Sequence, residues 1–140
     1  MQVREFKQED EEKVIELWKK CNLVAPWNDP KNDIRRKMII DPDLFLVGIY
    51  KNEIVATVMG GYEGHRGWIN YLAVSPKVQK KGFAKKIMNC VEDRIKAKGC
   101  PKINLQVRKT NTEVLAFYQG LGYEIDNVIG LGKRLVSDEE

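Results

Sequence analysis

Apolar residues recur along this chain in two rhythms, and each change of rhythm marks a new element. Val14, Leu17, Trp18 and Cys21 follow the i, i+3, i+4, i+7 spacing of one helix face. The acidic cluster Glu9–Glu12 ahead of them, with Lys19 and Lys20 behind, complements a helix dipole. A first helix is therefore expected, after a short strand holding Val3 and Phe6. A second, shorter helix should begin at Pro30 with Asp29 as its cap, turn Ile34 and Met38 inward, and stop at Asp41-Pro42. Three extended runs follow, Leu44–Tyr50, Ile54–Tyr62 and Trp68–Val74, joined by the turns Lys51-Asn52-Glu53 and Gly64-His65-Arg66-Gly67; they predict an antiparallel meander.

Ser75-Pro76 stops the third run, and the rhythm returns to helical after Gly82. Phe83, Ile87, Val91 and Ile95 form the buried stripe, with Ala84 and Met88 beside it. Lys85, Lys86, Glu92, Asp93, Lys96 and Lys98 are expected to face water, and Gly99 and Pro101 to end the helix. Ile103–Val107 reads as a strand. Because a helix separates it from the Trp68–Val74 run, the two should lie parallel. Asn111 or Thr112 caps a last helix with Val114, Leu115, Phe117, Tyr118 and Leu121 inside and Gly122 closing it. Tyr123–Ile125 and Val128–Leu135 are expected to pair as a hairpin, and Ser137–Glu140 to form a polar tail. The sum is one α/β domain over residues 1–140, a mixed, mostly antiparallel sheet of six to seven strands with about four helices on both faces.

Composition narrows the function classes. An apolar content of 43% over 140 residues builds one core without disulfides or metal. The net charge of +4 is too mild for a dedicated nucleic-acid surface and suits a small anionic ligand. Cys21, Cys90 and Cys100 are odd in number and form no C-x-x-C pair, which points to reduced thiols and no metal site. There is no signal-peptide pattern and no apolar run of membrane-spanning length, so a cytoplasmic protein with no membrane partner is expected.

The chemistry concentrates where the Trp68–Val74 run gives way to Gln79-Lys80-Lys81-Gly82-Phe83-Ala84. A strand feeding a glycine loop that opens a helix leaves backbone N–H groups unpaired at the positive end of the dipole, a site for phosphate. Gly82 lets the backbone approach the ligand closely, and Lys80, Lys81, Lys85 and Lys86 add positive charge.

Gln79, Gly82 and Ala84 match the acetyl-CoA-binding signature of the GNAT family, the GCN5-related N-acetyltransferases, and the later Leu105-Gln106-Val107-Arg108, Asn111 and Leu115–Tyr123 segments resemble another family motif. The resemblance covers almost the whole chain. Pro26–Pro30 and Gly60–Gly67 are similar to the YpeA-like bacterial subgroup. It implies a GNAT fold and transfer of an acetyl group from acetyl-CoA to an amine, by direct attack in a ternary complex. Gln79, Lys80, Lys81, Gly82, Phe83 and Ala84 would hold the pyrophosphate, while Leu72, Ala73 and Val74, on a bulged strand, would bind the pantetheine arm and polarise the thioester. Asn111 would contact the coenzyme and Tyr118 would protonate the departing thiolate. No cysteine is expected beside a visible base or in the cleft, so no acetyl-enzyme is expected.

One position departs from the pattern. Members that acetylate protein N-termini often carry a Glu base where this chain has Gln106, and an amide cannot take a proton. Glu63, His65 and Asp29 are the alternative candidates near the acceptor mouth, and Trp27 is a surface on which an acceptor can stack. The amine itself stays open: amino acid, polyamine, antibiotic, peptide N-terminus or protein lysine. Many relatives are dimers, so a homodimer is an open expectation. Two rivals remain, a non-catalytic acyl-CoA binder favoured by Gln106, and a small nucleic-acid-binding domain using the lysines.

Overall fold

The computed structural model describes residues 1–138; Glu139 and Glu140, the end of the expected polar tail, lie outside the described residues. The elements run β1 (Gln2–Glu5), α1 (Glu11–Lys20), α2 (Pro30–Ile39), β2 (Phe45–Tyr50), β3 (Glu53–Tyr62), β4 (Gly67–Val74), α3 (Phe83–Ala97), β5 (Ile103–Asn104) and α4 (Thr112–Gly120). The strands lie side by side in chain order and are antiparallel, except that β5 pairs with β4 in parallel, as its helical crossover requires.

Alternation along the strands divides the core between two helical layers. Phe45, Val47, Met59 and Ala73 meet Val14, Leu17 and Trp18 of α1 and Ile34 of α2. Leu46, Val58 and Ile69 meet Ile87, Met88, Val91 and Ile95 of α3 on the opposite face, and Tyr118 of α4 joins them. The α3 stripe is thus the expected one. Two side chains are not where periodicity puts them. Val114 is 36% exposed, because α4 covers only the margin of the core. Glu92 is half-buried and accepts a 2.6 Å hydrogen bond from the Tyr123 hydroxyl.

The sheet has five strands among the described residues and not six to seven. The expected Ile103–Val107 strand pairs only at Ile103 and Asn104, opposite Gly67 and Trp68, and the hairpin of Tyr123–Ile125 with Val128–Leu135 does not form. A strand persists where a neighbouring edge satisfies its backbone. With β5 ending after two residues, no edge is offered there. Ile129 and Leu131 accordingly stand 89% and 94% exposed. Side chains tether the segment instead: Asp126 to Lys102 and Asn104 at one end, and Asp138 to Arg36 at 2.8 Å at the other.

Candidate functional site

Strand β4 changes direction within its own length. Thr57 faces Ala73 and Met59 faces Asn70, so Tyr71 and Leu72 together oppose Val58, which makes a β-bulge. Tyr71 takes a φ of 51°, left-handed backbone that an aromatic residue adopts only when its surroundings impose it. Among the described residues no ladder joins β4 to the chain after Asn104, so the pairing of the two strands ends there. Along the open side of β5 lies a cleft of about 1680 Å³, lined among others by Trp68, Asn70, Gln106, Arg108 and Tyr118.

Beyond β4 the chain turns through Pro76–Val78 and reaches α3 by way of Lys80 and Gly82, both with positive φ (66° and 77°). Gly82 is the N-cap of α3, and no side chain caps the helix. The first hydrogen bond of α3 runs from the Lys86 N–H to the Gly82 carbonyl at 3.1 Å, so the amides from Gly82 to Lys85 have no intrahelical acceptor. A Cβ added at Gly82 would meet nothing within 4 Å, so the space beside the N-cap is open. Gln79, Lys80 and Lys81 are exposed around it, and Phe83 and Ala84 are half-buried. The Lys86 ammonium is held by the Met1 carbonyl, and that of Lys81 lies 6.0 Å from the Tyr50 ring centre.

Tyr118 is 7% exposed and lines the cleft. Its ring stands edge-on to Phe117 and Tyr123, and its hydroxyl has no hydrogen-bond partner among the described residues. Burial pushes its pKa up to about 12, so the phenol keeps its proton throughout the neutral range. Asn111 caps α4, its carboxamide oxygen accepting from the Val114 N–H at 3.3 Å.

The proposed acceptor residues fall in two places. Trp27 is 42% exposed, with the Arg108 guanidinium 5.8 Å from its ring, and the neighbouring Asn28 lines the cleft. Asp29 caps α2, accepting from the Lys31 N–H at 2.9 Å. Glu63 and His65 sit in the β3–β4 turn, before the first residue of β4. At about 3.3 Å per residue that puts them roughly 15 Å or more along the strand from the bulge. The Glu63 carboxylate binds the His65 and Arg66 N–H groups of its own turn, which hold its pKa below the usual value. Cys100 lines the cleft, unlike the expectation for the cysteines, and its thiol donates to the Lys102 carbonyl.

Sequence reasoning missed Asn70 and Asn104 in the cleft wall and the pairing of Tyr71 with Asp33. Alternation was the available signal for the first two: Ile69 of β4 and Ile103 of β5 pack with the α3 cluster, so the adjoining Asn70 and Asn104 turn the other way. The Tyr71–Asp33 bond joins residues 38 apart and has no local signature.

The fold has counterparts among known proteins. The chain shares its fold with Ard1 from Thermoplasma volcanium (21% identity over 89% of this chain and 83% of that one, TM-score 0.78) and with glucosamine-6-phosphate N-acetyltransferase from Arabidopsis thaliana (23%, 96% and 98%, 0.70). It is also similar to Chaetomium thermophilum Naa20, solved with a bisubstrate analogue (25% identity, 89% and 72%, TM-score 0.73). The model of the Acetyltransferase (GNAT) family matches residues 11–123, and the chain belongs to that family.

Proposed function

We propose that this protein transfers an acetyl group from acetyl-CoA to a primary amine by direct attack, with both substrates bound at once. The observation that carries the reading is the end of the β4–β5 pairing short of a bulge, followed by an uncapped helix with open space beside its N-cap. Amides Gly82–Lys85 would hold the diphosphate, with Gln79, Lys80 and Lys81 around it. The bulged backbone of Leu72–Val74 would bind the pantetheine arm, and an N–H there would stabilise the oxyanion of the tetrahedral intermediate. Asn111, at the start of α4, would contact the coenzyme with the part of its carboxamide that the cap leaves free.

In the step itself the neutral amine nitrogen bonds to the thioester carbon, the C–S bond breaks and the sulfur takes a proton from the Tyr118 hydroxyl, while the nitrogen gives up one N–H proton, which water returns to the Tyr118 phenolate. That hydroxyl is protonated, has no partner among the described residues and belongs to a side chain that lines the cleft, as a donor held in reserve should be. The amine must first lose a proton, which Gln106 cannot accept. Of the other candidates, Glu63 and His65 lie in the turn that precedes β4, and Asp29 serves the α2 cap. Asn28 lines the cleft next to Trp27 in the chain, and this segment would form the acceptor wall, so a water reaching Asp29 along it would be the route left among the proposed residues. The resemblance of Pro26–Pro30 to the YpeA-like subgroup falls on this same wall.

The test is thiol release from acetyl-CoA in the presence of a panel of amines: free amino acids, spermidine, an aminoglycoside, a peptide with a free N-terminus and a lysine peptide. Release with one of them and not with the others identifies the acceptor. Gln106 favours a second reading, an acyl-CoA binder without turnover. Heat on coenzyme titration with no thiol release from any amine would establish it.

A further inference from the structure

The bulge in β4 is held by contacts from the α1–α2 face of the sheet, and all of them converge on Tyr71. Its left-handed φ of 51° is a conformation that an aromatic residue does not keep unaided. From beneath, Thr57 of β3, wholly buried, donates its hydroxyl to the Tyr71 carbonyl at 2.9 Å. That hydroxyl is itself fixed, because the Trp18 indole N–H donates to it at 2.9 Å. The Tyr71 ring stacks on Trp18 with centroids 3.8 Å apart and planes 14° from parallel. At its far end the Tyr71 hydroxyl donates to Asp33 of α2 at 2.5 Å.

A bulge frees backbone groups from the ladder, and a freed carbonyl with no partner would pull the segment back into register or out toward water. Thr57 supplies that partner at the residue where the two strands lose step. The ring, clamped between Trp18 and Asp33, then fixes the rotation of the peptide that leads into Leu72. We infer that Tyr71 is a positioning residue: locked by Thr57 and Trp18 below and by Asp33 beyond, it sets the aim of the Leu72–Val74 amides at the thioester carbonyl. The inference rests on the acetyl-CoA reading and adds residues that no signature motif contains. Asp33 acts here as a hydrogen-bond acceptor and not as a base.

The readout is the carbonyl carbon resonance of [1-13C]acetyl-CoA bound to the intact protein, since a donor aimed at the carbonyl oxygen moves that resonance downfield from its position in free coenzyme. Thr57→Val keeps the buried volume and loses the bond to the Tyr71 carbonyl; Tyr71→Phe keeps the ring stack and loses Asp33. Both are expected to return the resonance most of the way to the free position while the Kd for acetyl-CoA changes less than about threefold, because aim is lost and the diphosphate grip is kept. Asp33→Asn, which still accepts from the phenol, should retain the wild-type resonance, and Asp33→Leu should lose it. If Thr57→Val fails to fold, Tyr71→Phe and the Asp33 pair carry the test alone. A wild-type resonance in both Thr57→Val and Tyr71→Phe would overturn the inference and leave acetyl transfer standing. Failure of the wild type to bind acetyl-CoA would sink both.

Discussion

Three buried or half-buried tyrosines show how one side chain takes three roles from its surroundings. Tyr123 and Tyr71 each donate to a carboxylate, Glu92 and Asp33, and both have pKa values raised by burial and then by that bond. Tyr118 is raised by burial alone and has a free hydroxyl in the cleft. Tyr118→Phe should therefore lower turnover about a hundredfold at unchanged coenzyme affinity, measured by thiol release and by calorimetry. Equal turnover would remove the proton-donor role. Sequence placed Tyr118 on the inner face of α4 correctly and Asn111 at its cap. It could not show which tyrosine lacks a partner, because the carboxylates concerned lie 31 and 38 residues away.

At the scale of elements, what could be read in advance follows from whether the forces are local. The stripes of α1 and α3, the Asp29-Pro30 start of α2 and the β2–β3–β4 meander rest on spacing and caps inside short windows, and all are present. The length of β5 and the fate of residues 123–135 depend on which edges stay available, and periodicity carries no information about that. The two proposals for Asp29 separate at this scale. Asp29→Ala should cost about 1 kcal/mol in urea unfolding by losing the cap, and Asp29→Asn should recover most of it. If Asp29→Asn restores stability but not turnover, the carboxylate also serves the acceptor; if it restores both, it is a cap only.

Across the whole molecule, one ion pair ties the first strand to the first helix and sets an acid limit. Arg4 donates to both oxygens of the nearly buried Asp10, at 2.7 and 3.0 Å, and this bond is the chief cause of the lowered Asp10 pKa. A carboxylate whose folded pKa lies below its unfolded value of about 4 contributes stability above that value and loses it as pH falls through the folded one. Thermal unfolding should thus show a loss of stability below about pH 4 that Asp10→Asn flattens, and parallel curves for the two proteins would contradict it.

Coenzyme affinity is the test on which the functional reading turns. Calorimetric titration of acetyl-CoA into the wild type and Gly82→Trp should give one site in the first and binding weakened at least tenfold in the second. The new side chain would occupy the open space beside the α3 N-cap, at a backbone angle that favours glycine. No heat with the wild type, or equal affinity in the two proteins, would contradict it.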